Sequence, residues 1–270
     1  MRSLYGAIVN YKQKEIMVSI DRVYQKVLAL ANKEQRGYIT PQEFNLFAHH
    51  AQMEIFEQYF YDLNQFLRTP GNSAAYSDMV TNLEEKISIF ERYDQEGEIL
   101  EPEKGIVRIQ SFSFIHRLGM VRVRYDSGNI VEAEELQLNE INKYAYSPLG
   151  RWSETLPVYT RYSGDYVANA DSRSLLRVYP NPKSVHPSKP ISNVLLSYVQ
   201  TPRKPNWAYN VINNKPLYNS TDAIDFELHD SEEVELVYKI LLLAGVAIEK
   251  PELTQSAAGL NVSQIQQEKQ

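Results

Sequence analysis

The chain has 270 residues, of which 43% are apolar and 23% are charged, so it is long enough to bury one large core or two modest ones. It contains no cysteine, which excludes disulfides, thiolate metal ligands and a cysteine nucleophile and is typical of a protein made in a reducing cytoplasm. Its formal net charge of −6 disfavours tight binding to DNA, because affinity for a phosphate backbone depends on clustered lysine and arginine.

Neither export nor a membrane partner is expected. Residues 1–16 contain one arginine and only a short apolar stretch, which is unlike a secretory signal, and we interpret them as an N-terminal extension. The longest apolar run, at 240–248, is much shorter than the roughly 18 to 20 residues that a membrane-spanning helix needs.

The region 17–95 is predicted to be helical. Apolar residues recur at a spacing of three to four over 20–30 and again over 44–59, as they do on the buried face of a helix. A third helix is predicted over 79–92, after a loop rich in proline, glycine, asparagine and serine.

The turn between the first two helices resembles a calcium-binding loop. In an EF-hand loop that starts at Asn32, Gly37 takes the sixth position and Glu43 the closing carboxylate position. The fifth position is Arg36, which offers no oxygen ligand and carries a positive charge. Thr40 and Glu43 are also spaced as a capping box, which explains both residues without a metal. We therefore predict a helix-turn-helix joint that does not bind calcium.

The region 100–228 is predicted to form a β-rich body. Val121 and Val123 alternate with Arg122 and Arg124 ahead of the turn sequence "DSGN", a pattern that predicts a β-hairpin. The two arginines share one face of the strand, which makes them candidate interface residues. Further strands are predicted at "LPVYTRY", "LLRVYP", "NVLLSYVQ" and "AIDFEL".

A closing helix is predicted over 229–250, with Asp230 as its N-cap and Glu233 completing a capping box. Its predicted buried face contains Val234, Val237, Ile240, Leu241 and Ala244. The polar tail 251–270 has few apolar positions and is predicted to be an interaction segment that orders on a partner surface. The candidate interface residues of the tail are Leu253, Leu260 and Ile265. These regions together predict an α+β protein with an N-terminal helical layer, a β-rich middle body, and a C-terminal helix and tail.

Charge is distributed unevenly along the chain. The formal charges of 1–100, 101–220 and 221–270 are −4, +5 and −7. Patches of opposite sign allow copies of one chain to meet in register, although scatter within a large domain explains the pattern equally well. The 19 tyrosines also have two interpretations, an interface or ordinary β-structure, because tyrosine is enriched in both.

No catalytic, metal or cofactor residue is predicted. The sequence contains no GxxxxGK[ST], GxGxxG, GxSxG or HExxH motif. Adjacent His49 and His50 point about 100° apart on a helix, so they cannot share a metal ion. Acidic pairs such as Glu84 and Glu85 arise by chance among 34 acidic residues.

Three stretches of the chain carry a family resemblance. They are "RGYITPQEFNLFAHHAQMEIFEQYFYDLNQF", "SYVQTPRKPNWAY" and "DFELHDSEEVELVYKILLLAGVAIEKPEL", the last followed by a glutamine-rich tail. Over residues 17–270 the chain resembles the neck or tail ring proteins of crAss-like phages and related podovirus-type tailed bacteriophages. The resemblance implies a structural protein of the virion, with no catalysis and no cofactor.

The same resemblance implies a set of partners. It implies a closed homo-oligomeric ring in the portal-neck-tail axis, in contact with the portal and with adjacent ring or tail proteins. The resemblance does not fix the copy number, for which we expect about twelve. DNA would pass through such a ring without specific binding, and the protein would assemble in the cytoplasm of the bacterial host. Two alternatives are a tail-associated receptor-binding or carbohydrate-binding module and a tail enzyme that degrades glycans.

The polar tail generates the first prediction. Truncation after Glu249 should leave the thermal midpoint of the isolated subunit nearly unchanged, because the closing helix is retained and the tail has too few apolar residues to anchor a helix. Assembly of the ring or virion should weaken sharply in the same variant. Calorimetry and native mass spectrometry measure the two effects, and a large loss of subunit stability would contradict the prediction.

Overall fold

The computed structural model describes residues 17–33, 39–68, 74–109, 115–147, 150–161, 175–181 and 191–247, and Gly259. Within them the chain belongs to the α+β class, as predicted. It divides into two compact units. The helical unit combines the described residues up to Ile89 with those from Pro202 onward, and the barrel unit comprises Phe90–Thr201. The predicted extension 1–16 and the tail residues other than Gly259 lie outside the described residues, as do Arg36 and Gly37.

The elements follow one another in a simple order. The helices are α1 (Ile20–Lys33), α2 (Pro41–Arg68), α3 (Ala74–Ser88), α4 (Leu138–Tyr146) and α5 (Glu233–Ala247). The strands are β1 (Glu91–Glu101), β2 (Ile106–Ile109), β3 (Ile115–Tyr125), β4 (Ile130–Glu135), β5 (Val158–Arg161), β6 (Leu175–Tyr179), β7 (Ile191–Gln200), β8 (Tyr209–Ile212) and β9 (Lys215–Tyr218). A 3₁₀ turn, Asp230–Glu232, precedes α5.

The predicted start of α2 is confirmed by its hydrogen bonds. The backbone N–H of Glu43 donates to Thr40 Oγ1 over 3.3 Å, and the backbone N–H of Thr40 donates to Glu43 Oε2 over 2.9 Å. The hydrogen bond from the Thr40 side chain, followed by that from its backbone, lowers the pKa of Glu43 below its ordinary value. These two residues therefore form the expected capping box.

The capping box predicted for the closing helix is wrong. His229 caps the 3₁₀ turn instead, with its Nδ1 accepting from the backbone N–H of Ser231 over 3.3 Å. Glu233 Oε1 lies 2.7 Å from Lys26 Nζ of α1, so its carboxylate pairs with a neighbouring helix and does not reach back to its own backbone. Val234, predicted to be buried, is 46% exposed.

The C-terminal end of the predicted β-rich body also differs from the structure. The segment "AIDFEL" was predicted to be a strand, but it runs irregularly through the helical unit and makes only one isolated bridge, between Asn206 and Ile224. Its buried Phe226 donates its backbone N–H to Val18 O over 3.2 Å, and the Glu227 N–H donates to Gln52 Oε1 over 3.1 Å. Backbone hydrogen bonds with Val18, just before α1, and a hydrogen bond to the side chain of Gln52 of α2 therefore take the place of a regular strand pairing.

Seven strands close into a barrel in the order β1-β2-β6-β5-β4-β3-β7. All neighbouring pairs are antiparallel except β4 and β5, which are parallel. The predicted β3–β4 hairpin is confirmed, with Val121 opposite Ala133 and Val123 opposite Val131. Strand β1 begins at Glu91, where the third helix was expected to continue to residue 92; α3 ends at Ser88 instead.

Apolar side chains fill the barrel. The buried cluster consists of Val107, Val121, Val123, Tyr125, Ala133, Tyr159, Leu176, Val178, Ile191, Val194, Leu196 and Tyr198. Gly97 of β1 faces this cluster, and a Cβ there would lie only 2.7 Å from Val107 Cγ1. The barrel is therefore a packed core, and its tight interior requires glycine at this position.

Two tyrosines inside the barrel are held neutral. Burial raises the pKa of Tyr125 to about 12, with a smaller contribution from Glu154, and its hydroxyl has no hydrogen-bond partner among the described residues. Burial is also the main cause of the raised pKa of Tyr159, whose hydroxyl donates to Glu135 Oε2 over 3.1 Å. Both phenols therefore stay protonated well above neutral pH.

The capping box at α2 generates a stability prediction. Thr40→Ala removes the acceptor for the Glu43 N–H and should lower the free energy of unfolding by about 1 kcal/mol. Because the folded pKa of Glu43 is lowered, its own contribution is complete above its ordinary pKa and is lost as the pH falls through the lowered value. Chemical denaturation near neutral pH should therefore show the full difference.

The exposed Thr221 is the matched control for this measurement. Thr221→Ala should change the free energy of unfolding by less than about 0.5 kcal/mol, as is usual for surface positions. Equal losses in the two variants would contradict the capping role of Thr40.

Candidate subunit interface

The helical unit carries a two-stranded hairpin that the sequence analysis missed. Strands β8 and β9 pair in antiparallel register, with Tyr209 opposite Tyr218 and Ile212 opposite Lys215. The two turn residues, Asn213 and Asn214, have φ values of 50° and 59°. Asparagine tolerates this left-handed region better than most residues, and two such residues in a row favour a tight hairpin turn. The signal was present as "NN" between two short β-prone runs.

The hairpin is rooted in the core by Trp207. This residue is buried, and its ring centroid lies 4.2 Å from that of Tyr24 in α1. On the hairpin side it stacks on Tyr209 at 5.8 Å and on Tyr218 at 5.6 Å. Its indole Nε1–H donates to Asp21 Oδ1 over 2.9 Å, so the polar end of the ring is also satisfied.

A side chain from α2 holds the same root. The Asn45 Oδ1 atom accepts the backbone N–H of Trp207 over 2.7 Å. Its Nδ2 atom donates to Asn206 Oδ1 over 3.1 Å and to the carbonyl of Trp207 over 3.3 Å. The side-chain amide of Asn45 therefore satisfies both the backbone N–H and the carbonyl of Trp207, which lies two residues before β8.

Beyond this rigid root, the hairpin exposes apolar side chains on both of its faces. Val211 lies opposite Pro216 on one face and is 65% exposed. Ile212 and Leu217 lie on the other face and are 54% and 59% exposed. A surface hairpin that serves only its own subunit normally has one polar face. This hairpin, held at its base and with exposed apolar side chains on both faces, has the character of a segment that inserts into a partner.

The arginines predicted as an interface lie on the outer face of the barrel. Arg122 pairs with Asp94, and Arg124 Nη1 lies 3.4 Å from Glu96 Oε1. Both carboxylates belong to β1, which is separated from β3 by β7. Their charges are thus offset within the barrel unit. Their part in an interface stays a prediction, as does that of Leu253, Leu260 and Ile265, which lie outside the described residues.

The described residues contain no group of three or more histidine, aspartate or glutamate side chains arranged to hold a metal ion. His49 is partly buried, and that burial, followed by the nearby charges of Lys204 and His50, lowers its pKa. In the part of the chain that the structure describes, no helix has both the length and the apolar character needed to cross a bilayer.

Neither the models of known protein families nor the curated proteins include a match to this chain.

The hairpin root generates a prediction about rigidity. Asn45→Ala leaves the Trp207 N–H without its acceptor, which should cost about 1 to 3 kcal/mol in the free energy of unfolding. It should also increase hydrogen exchange at the amides of β8 and β9. The matched control is Asn64→Ala, because the exposed Asn64 also lies on α2 and donates only to Phe60 O of its own helix. Equal exchange in the two variants would show that Asn45 does not hold the hairpin.

Proposed function

We propose that this protein is a non-enzymatic structural component of a tailed-bacteriophage virion, where its copies form a ring in the portal-neck-tail assembly. The ring contains about twelve copies and contributes to the conduit through which DNA passes. Its partners are further copies of the same chain, the portal and adjacent ring or tail proteins. The protein assembles in the host cytoplasm and resides in the neck or tail of the virion.

The observation that carries this proposal is the β8–β9 hairpin. A two-stranded hairpin is marginally stable alone, yet this one is fixed to its subunit by Trp207 and Asn45. The apolar side chains at its tip are left in water, where they bring no stability to the subunit itself. They would contribute roughly 1.5 to 3 kcal/mol each if a partner buried them. This arrangement favours a protein whose stability and function are completed by assembly.

Two further features support the proposal. The three sequence stretches described above resemble ring proteins of tailed phages. The net charge of −6 also suits a wall beside moving DNA, since an acidic surface repels phosphates and does not retain them. Side chains fill the barrel interior, so DNA would not pass through the barrel of a single subunit. The conduit would instead be the central opening of the ring of subunits.

Imaging separates this proposal from its alternatives. Gold-labelled antibody against this chain should mark the junction between head and tail of the particle. A receptor-binding or carbohydrate-binding module would be marked at a fibre tip, and a glycan-degrading enzyme would release sugars from host envelopes when purified alone. Either of these two results would contradict the proposal.

The hairpin generates a prediction about assembly. The double variant Ile212→Ser, Leu217→Ser should weaken association between copies at least about a hundredfold. The reason is that association of the variant no longer gains the free energy of burying two apolar side chains. The subunit should remain folded, since both side chains are exposed in it. Sedimentation velocity and native mass spectrometry of the full chain provide the measurement.

The matched control is Leu156→Ser, because Leu156 of the barrel unit is 63% exposed, close to the 59% of Leu217. This control should form the same rings as the unaltered chain. Rings of unchanged stability in the hairpin variant would show that the hairpin is not the interface, and a strictly monomeric unaltered chain would contradict a self-assembling ring.

A further inference from the structure

The helical unit contains a pocket far from its hairpin. The pocket lies beside the C-terminal half of α2, α3 and the turn before α5, and its volume is about 430 Å³. Phe66, Met79 and Leu83 form its apolar lining, and Asp62 and Glu85 add two carboxylates. Lys86 also lines it, but its ammonium group is paired with the buried carboxylate of Glu232 at 2.5 Å. The pocket therefore combines apolar side chains with two carboxylates, and Asn82, His229 and Ser231 complete its lining.

The hairpin and the pocket lie at opposite ends of the same helix. Asn45 fixes the hairpin root near the start of α2, while Asp62 and Phe66 line the pocket near its end. Seventeen residues of α-helix separate Asn45 from Asp62, which corresponds to about 26 Å along the axis. Strands of four residues extend only about 14 Å. The hairpin of one subunit therefore cannot occupy the pocket of that same subunit.

One face of the hairpin is complementary to this pocket. Ile212, Lys215 and Leu217 point to the same side, because Ile212 lies opposite Lys215 and Leu217 is two residues farther along β9. Lys215 is the only charged residue between 206 and 219. Two apolar side chains beside one ammonium group thus match apolar walls beside two carboxylates, and the volume is sufficient for a few side chains.

We propose that Ile212, Lys215 and Leu217 of one copy dock in the pocket beside α2 and α3 of the next copy. Because donor and acceptor lie at opposite ends of α2, the contact is head-to-tail, and each bound copy still offers a free hairpin and a free pocket. Repetition of such a contact closes into a ring when the rotation between copies allows it. This inference rests on the proposed function and names the interface through which that function is performed.

Crosslinking tests the contact directly, because the chain contains no cysteine of its own. In the double variant Lys215→Cys, Asp62→Cys, a short bismaleimide should join each hairpin to the pocket of the next copy and give a ladder of covalent multimers on a denaturing gel. The control is Lys215→Cys, Glu57→Cys. Glu57 is an exposed acidic residue on α2 five positions before Asp62, so it faces about 140° away and should give no ladder.

Charge exchange is a second test. Lys215→Glu should weaken association at least about tenfold, because it places a third carboxylate beside Asp62 and Glu85. Combining it with Asp62→Lys and Glu85→Lys should restore most of the loss. Failure of the combined variant to recover any association would overturn the predicted pairing, since all three positions are polar and their exchange leaves the apolar lining intact.

Native mass spectrometry of the unaltered chain distinguishes a failure of the hairpin-to-pocket contact from a failure of the proposed ring function. A ladder from the Asp62 variant alone supports the head-to-tail contact. Closed rings without this selective ladder would overturn the contact and leave the ring function standing. A chain that stays monomeric and gives no selective ladder would overturn both.

Discussion

The helical unit depends on buried carboxylates at the start of α5. Glu232 pairs with Lys86 of α3, and Glu233 pairs with Lys26 and Arg22 of α1, while the two glutamates themselves are almost completely buried. The basic partners are partly exposed, so each pair adds little net stability, but a buried glutamate that lost its partners would be left as an uncompensated charge. These pairs therefore specify which helices α5 joins. The hairpin and the pocket are both positioned by elements of the unit that α5 completes.

Local patterns were sufficient to predict α1, α2, α3 and α5 and several strands. The spacing of apolar residues placed α1 and α2, and the alternation around Val123 placed the β3–β4 hairpin, because such periodicity is imposed by one buried face. Strand β1 was missed because its outward residues are charged and because one of its two neighbours, β7, lies about 100 residues later in the chain, where Leu196 pairs with Gln95. The N-cap of α5 was misassigned for a related reason, since the partner of Glu233 lies about 200 residues earlier on α1.

The candidate interface was only partly visible in the sequence. The alternation that exposes Arg122 and Arg124 is local, so their place on an outer barrel face could be predicted. Their pairing with acidic residues of β1 could not, because it requires the closed strand order of the barrel. The turn at Asn213 carried a hairpin signal, but the sequence does not reveal which apolar side chains of a short hairpin remain in water. That property depends on the Trp207 root and the side chain of Asn45, which come from different parts of the chain.

The division of the helical unit between both ends of the chain sets the order in which a nascent subunit becomes competent. During synthesis the residues of the barrel emerge before Trp207, the hairpin and α5, and domains generally fold as units while the chain is made. Until translation has passed Ser231, the growing chain lacks His229 and Ser231, which form part of the pocket wall. The pocket wall is therefore completed only after the hairpin has been synthesised. A growing chain can thus offer its hairpin to another copy before it can accept the hairpin of that copy.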